Sequence, residues 1–179
     1  GGVRGGARKP VCLMHMRGVP QTMQKPENLQ YGGGGGGGEA GGSACEDGVV
    51  EVVAEELAER IQRVVRAGLP RWMIIGDPGI GFAKDKVGNL QLLKPAALQK
   101  LSWRLKNTPL LVGASRKRFI GALCDEDDPQ RRDWGTVATS CAASSGGVCM
   151  VRVHNVEATA MALRVMDAIT AAPGPGAVK

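Results

Sequence analysis

Residues 72–79 read Trp72-Met73-Ile74-Ile75-Gly76-Asp77-Pro78-Gly79. Four residues with no charge among them, closed by an Asp-Pro-Gly turn signal, read as a short strand buried on both faces, as in a parallel sheet. The pattern recurs on either side. Residues 10–16 (PVCLMHM) form an apolar run that meets Arg17. Leu110-Leu111-Val112 runs into Gly113-Ala114-Ser115-Arg116-Lys117, and Val148-Cys149-Met150-Val151 runs into Arg152-Val153-His154-Asn155. Between these runs the period changes. Over residues 46–67, Val50, Val53, Leu57, Ile61, Val64 and Val65 recur at three- and four-residue steps, and Gly68 supplies a stop, which predicts a helix. Further helices are expected over 89–106 (with a break near Pro95), over 130–145, and over 156–170 through Ala160, Leu163, Met166 and Ile169. The order is strand then helix, four times. Right-handed units of this kind build either a small open α/β sheet or half of an eightfold barrel.

Composition narrows the function classes. Of 179 residues, 43% are hydrophobic, enough for a core, so the chain is not disordered throughout. Aromatics are only 3%, which argues against a stacking platform for single-stranded nucleic acid. Lys and Arg number 23 against 17 Asp and Glu, a net +6 that suits an anionic small molecule without diagnosing nucleic acid. No nucleic-acid partner is expected. The five cysteines (Cys12, Cys45, Cys124, Cys141 and Cys149) contain no C-x-x-C pair and read as free thiols in a reducing compartment. The two histidines lie far apart in sequence, so a zinc hydrolase is not expected. No apolar run approaches the roughly 20 residues a membrane span needs, and no membrane partner is expected.

The expected organisation is a linker or loop remnant over 1–9, a barrel-like domain over 10–170, and a disordered tail over 171–179. Residues 17–45, with seven glycines at 32–38, are expected to be a flexible loop insertion. The chain begins Gly-Gly-Val-Arg rather than with Met, and is expected to be a piece of a longer one.

Candidate site residues, most of them polar, collect at the end of each strand: Met14, His15 and Arg17; Asp77, Phe82 and Lys84; Ser115, Arg116 and Lys117; Arg152 and His154. In either architecture the C-terminal strand ends share one crevice, so these four clusters converge. Asp77 can accept two parallel N–H bonds from a planar heterocycle, or can close an Asx turn or cap a helix. Gly79 and Gly81 let a flat ligand approach the backbone, or only make the turn. Ser115, Arg116 and Lys117 suit an anionic or carbonyl-bearing ligand, or form a solvated basic loop, which Arg118 continues toward solvent. Arg152 and His154 alternate, so they share a face, where a diphosphate or an internal carboxylate would satisfy them. His15 fits a satisfied structural histidine. No Ser/His/Asp or Cys/His nucleophile arrangement is present.

These segments together resemble the C-terminal half of dihydropteroate synthase. The matching stretches are Leu13-Met14-His15-Met16-Arg17-Gly18, Asp77-Pro78-Gly79-Ile80-Gly81-Phe82, residues 113–121 (GASRKRFIG) and Val151-Arg152-Val153-His154-Asn155-Val156. They cover nearly all of residues 10–170. The stretch RGVPQTMQKPENLQY (17–31) looks like the plant-type enzyme, usually fused behind a pterin pyrophosphokinase and mitochondrial; the cytoplasm is the alternative. The resemblance implies the last four units of a (β/α)8 TIM barrel of the pterin-binding type. It implies a transferase that joins 4-aminobenzoate to 7,8-dihydropterin-6-ylmethyl diphosphate, releasing pyrophosphate with Mg²⁺ assistance, and a homodimer at full length. By the same resemblance Met14, Asp77, Gly113 and Lys117 bind the pterin. Phe82, Ser115 and Arg116 surround 4-aminobenzoate, where sulfonamides would compete. Arg152 and His154 grip the diphosphate, and Lys117, Arg152 and His154 are the implied catalytic residues. The family's Mg²⁺-binding Asn and further pterin contacts belong to its N-terminal half, so no metal ligand is expected here. Residue 114 is Ala where plant-type relatives commonly carry Pro. Two alternatives stand beside this: a non-catalytic remnant that keeps a pterin or anion site, and a pterin-dependent methyltransferase domain.

Overall fold

A computed structural model describes residues 9–31 and 48–173. The expectations for residues 1–8, 32–47 (the glycine run included) and 174–179 lie outside the described residues. Four strands and seven α-helices follow one another as β1 (Val11–Met14), α1 (Pro26–Leu29), α2 (Gly48–Arg66), β2 (Ile74–Asp77), α3 (Lys86–Leu93), α4 (Pro95–Arg104), β3 (Leu111–Val112), α5 (Arg118–Cys124), α6 (Asp133–Ser145), β4 (Met150–Val151) and α7 (Val156–Ala171).

Among the described residues all strand pairing is parallel. Val11 stands opposite Ile74 and Met14 opposite Asp77. Leu111 stands opposite Met150 and Val112 opposite Val151. A parallel bridge between Gly76 and Leu110 joins the two ladders, so the spatial order is β1-β2-β3-β4. Sequence order and spatial order coincide, which places every C-terminal strand end on one rim.

The strands have two unlike faces. A Cβ on Gly76 would meet the side chains of Leu110, Leu105 and Leu57, so Gly76 faces the helices. Ile74, two residues earlier, shares that face and is fully buried, as are Leu110 and Val112 nearly so. They form one core with Leu57 and Ile61 of α2, Leu92 of α3 and Leu98 and Leu101 of α4. Fully burying one such side chain contributes about 2 kcal/mol. The opposite face carries Cys12, Met14, Ile75, Asp77, Leu111, Gly113, Met150 and Arg152 by register. There Cys12 is exposed, and Ile75, Leu111 and Met150 are only half-buried. Full cover on both faces, expected from the unbroken apolar runs, is therefore met on the helix side alone. The described helices pack to one side of the sheet.

The local differences have local causes. The break expected near Pro95 falls at Lys94, with Pro95 opening α4, where its missing N–H costs nothing. The helix before it starts at Lys86 because Asp85 caps the Gly88 N–H at 2.7 Å. Helix α6 starts at Asp133, after a 3-10 turn over Pro129–Arg132 capped by Asp128. Helix α5 was hidden in a basic, glycine-containing stretch. Gly121 sits in its middle because the Arg132 guanidinium and the Glu126 carbonyl approach to 2.6 Å of where a Cβ would stand. Within the expected flexible stretch, α1 and the turns after Val19 are ordered by backbone hydrogen bonds such as Met23 N–H to Val19 O at 2.8 Å.

Candidate active site

Asp77 ends β2 on the open face of the sheet and is 3% exposed. Its Oδ1 accepts the Gly79 N–H at 2.7 Å, so the Asx turn is real and engages one oxygen of the carboxylate. Burial raises its pKa, against the pull of that N–H and of Lys117, Arg152 and Lys84. One buried carboxylate thus stands among three cations. Met14, opposite it on β1, is half-buried beside it.

After Asp77 the chain rises over the rim as an arch. Gly79, Gly81 and Ala83 all have positive φ (69°, 78° and 49°). Gly79 admits no side chain, since a Cβ would lie 1.9 Å from the His15 carbonyl oxygen. The Asn89 Oδ1 accepts the Gly81 N–H at 2.5 Å, and Tyr31 donates its hydroxyl to Ala83 O at 2.6 Å. The arch presents the Phe82 ring to Lys117, whose Nζ is 4.2 Å from the ring centroid and donates to the Ile80 carbonyl. Burial lowers the Lys117 pKa to about 8; Asp77 opposes this and Arg152 adds to it.

The loop after β3 divides in two directions. Lys117 turns to the arch. Arg116, at φ 59°, turns away and forms a two-pronged pair with Asp133, Nε to Oδ1 at 2.8 Å and Nη2 to Oδ2 at 3.1 Å. That pair lowers the Asp133 pKa. Ser115 Oγ lies 2.8 Å from His154 Nδ1 and accepts the His154 backbone N–H at 3.2 Å. Gly113 lies against the Arg152 guanidinium, which would stand 3.0 Å from a Cβ there. Arg152 and His154 follow β4 and are both exposed. Among the described residues no carboxylate pairs with Arg152, so the internal salt bridge weighed from sequence is not formed there. Arg118 is exposed, as expected.

His15 is fully buried and satisfied: Nε2 lies 2.9 Å from Glu56 Oε2, and Nδ1 lies 3.0 Å from Lys84 Nζ. Burial, then the Lys84 charge, push its pKa down to about 3 against the pull of Glu56. Glu56 is also held by Arg17, at 2.9 Å from Nε and 2.5 Å from Nη2. Met14, Asp77, Phe82, Gly113, Lys117 and Arg152 therefore share one mouth, the Ser115–His154 pair flanks it, and Arg116 is engaged at its edge. Glu56, Asn89, Asp133 and Asn155 were missed. Glu56 acts on His15 and Arg17, 41 and 39 residues away, and Asp133 on Arg116 and Asn155, 17 and 22 away. Nothing in spacing or period marks such pairs. Asn89 holds Gly81 only 8 residues back, within a turn whose course the sequence does not fix.

Metal ligation is poorly served. Among the described residues no group of three or more His, Cys, Asp or Glu side chains is placed to hold an ion, and the one carboxylate at the mouth is surrounded by positive charge. These residues do not fit a Mg²⁺ site.

The chain matches the family model described as pterin binding enzyme over residues 38–154. It is 39% identical over 165 residues to the mitochondrial bifunctional folate synthesis protein of Arabidopsis thaliana, covering 89% of this chain and 27% of that one. It is 40% identical over 164 residues to the dihydropteroate synthase of Synechocystis, covering 90% of this chain and 49% of that one. The dihydropteroate synthase of Xanthomonas albilineans in complex with 7,8-dihydropteroate superposes with a TM-score of 0.73 at 36% identity, covering 92% of this chain and 52% of that one. The same enzyme is known with 4-aminobenzoic acid. The chain thus spans 27% to 52% of these relatives' length.

Proposed function

The chain belongs to the pterin binding enzyme family, its four units forming the C-terminal half of a (β/α)8 barrel, and on that premise we propose that it carries half of a dihydropteroate synthase site. The whole protein joins 7,8-dihydropterin-6-ylmethyl diphosphate to 4-aminobenzoate. The amine lone pair forms a new C–N bond to the exocyclic methylene carbon. The C–O bond to diphosphate breaks, diphosphate leaves with the bonding pair, and the amine sheds one proton to solvent.

Departure of diphosphate from a reduced pterin leaves a delocalised cation, so the protein's task is to hold, orient and neutralise. Asp77 accepts from the pterin's N–H groups, beside Met14 and Gly113. Lys117 bonds the polar edge of the pterin and closes that end of the mouth. Phe82 and Ser115 bound the 4-aminobenzoate place, with Arg116 at its border, and a sulfonamide competes there. Arg152, aided by His154, takes the growing charge of the leaving group. Were the whole protein to use Mg²⁺, the ion would supply charge screening for the diphosphate; the described residues do not fit it, and Arg152 and His154 are the groups they offer to that charge. The plant relative's mitochondrial name supports that organelle for this protein too.

One observation carries this reading: a buried carboxylate and cationic side chains from three successive strand ends meet at one rim. In the full-length protein, Asp77→Asn should lower kcat/KM for the pterin substrate by about 100-fold, the order expected when a buried charged hydrogen bond is lost. Arg152→Ala should lower kcat more than it raises either KM. Pterin binding without product in the unmodified protein would favour the non-catalytic alternative.

A further inference from the structure

Lys84 has no part in the scheme above, yet it is 3% exposed and has three partners. Its Nζ lies 3.0 Å from His15 Nδ1, 3.1 Å from Gly79 O and 3.0 Å from Phe82 O. We propose that Lys84 is a positioning residue, which clamps both ends of the arch over residues 79–82 to His15 and so fixes Asp77 and Phe82 in the mouth. Its consequence for catalysis rests on the pterin-transfer reading; its place as a clamp does not.

Donor count fixes the protonation state. Both carbonyl oxygens only accept. His15 is bound at Nε2 by a carboxylate, so the ring proton sits on Nε2, and Nδ1 offers a lone pair. Three acceptors need three N–H groups, and only the ammonium form of lysine has them. The arch depends on outside support, since two of its residues, Gly79 and Gly81, and the adjoining Ala83 have positive φ, a conformation that costs the non-glycine Ala83 most. Asn89 and Tyr31 secure its middle and far end. A turn hydrogen bond from Phe82 N–H to Gly79 O at 3.0 Å closes the arch on itself, and Lys84 ties the Gly79 and Phe82 carbonyls to His15. His15 is anchored by Glu56 of α2, and Glu56 by Arg17. A continuous set of contacts therefore runs from α2 through the loop after β1 to the arch after β2.

This clamp is sensitive to pH. The groups facing Lys84 are His15 and Arg17 after β1, Glu56 on α2, the Tyr31 ring, Asp77 at the end of β2, and Lys117 after β3. Burial lowers the Lys84 pKa to about 7, with Asp77 and Glu56 opposing and Lys117 and Arg17 assisting. Loss of the proton leaves two N–H groups for three acceptors, and one arm of the clamp opens.

Hydrogen exchange on the full chain tests this. Amides of residues 79–84 are compared with those of α2 between pH 6 and 8.5, after correction for intrinsic exchange. The unmodified arch should lose protection about tenfold relative to α2 as pH rises. In Lys84→Gln the arch should be poorly protected at every pH, with no such step. In the full-length protein, Lys84→Gln should raise KM for the pterin diphosphate about tenfold and change kcat less. An arch whose protection is flat with pH overturns the clamp, as does a pH step that survives in Lys84→Gln. A loosened arch with unchanged KM overturns its bearing on catalysis. If Lys84→Gln does not fold, the unmodified chain's pH series still decides. If the unmodified protein makes no pteroate, the pterin-transfer reading falls, and the exchange result stands on its own.

Discussion

His15 ties its own titration to the stability of the fold. Its ring is sealed inside, between Glu56 and Lys84, and its pKa is pushed from 6.5 to about 3. Between those values the unfolded chain binds a proton that the folded chain refuses. Stability contributed by neutral His15 is therefore complete above about pH 6.5 and falls as pH drops toward 3. One proton corresponds to about 1.4 kcal/mol per pH unit in that window. Glu56, whose pKa is lowered, adds loss in the same direction at the acid end. Urea unfolding followed by circular dichroism from pH 7 to 4 should show this slope, and His15→Gln should flatten it. An unchanged slope in the variant would place the proton uptake elsewhere. At this scale the sequence was legible where a residue ends an apolar run. Asp77, Lys117 and Arg152 were placed at the rim that way, while His15 was read as structural because no ligand partner stands near it in sequence. Glu56 was not, because its value lies in contacts 39 and 41 residues away, which no helical period records.

Among elements, the loop after β3 and the two helices α6 and α7 meet at one side chain that touches all three. Asp133 opens α6, pairs with Arg116, and accepts from the Asn155 side chain at 3.1 Å. Asn155 in turn caps α7 through the Ala158 N–H at 3.1 Å. Thr136, one turn into α6, accepts the Arg116 N–H at 3.0 Å. The direction of Arg116 and the position of His154, next to Asn155, thus depend on the first turn of α6. Both partners of the Arg116–Asp133 pair are about a quarter open to solvent (25% and 21%), so the pair itself stabilises little. Asp133→Ala should therefore lower stability by only about 1 kcal/mol while raising KM for 4-aminobenzoate several-fold in the full-length protein. Measuring both separates a fastening of the loop from a general weakening of the fold. The helices themselves were legible by period, α2 most clearly. Helix α5 was not, since its seven residues carry too few apolar steps to show a period and its glycine answers to Arg132 rather than to a turn.

Over the whole molecule, apolar surface is left open in two places. The sheet face opposite the helices shows Cys12 exposed and Ile75, Leu111 and Met150 half-covered. On α7, Met161, Val165 and Ile169 recur every four residues and are 61%, 59% and 63% exposed, and Trp134 at the start of α6 is 82% exposed. Ile169 belonged by period to the covered side of its helix, yet only Thr159 of α7 is buried. Period identifies a face; it does not say what covers it. Among the described residues β1 pairs only with β2, and β4 only with β3, so each outer strand keeps an unpaired backbone edge. Open edges and a bare apolar face both favour pairing with another chain. The mouth also draws its cations from these residues, while among the described residues no group of three or more His, Cys, Asp or Glu side chains is placed to hold a metal. Expressed by themselves, residues 1–179 should sediment as more than a monomer and form pteroate at under about a hundredth of the rate of a full-length relative, since positioning both substrates supplies much of the acceleration. Sedimentation and product formation measured on one preparation decide the matter. A monomer with turnover near that of a full-length relative would mean that these four units close a working site unaided, and that the open sheet face is no deficit at all.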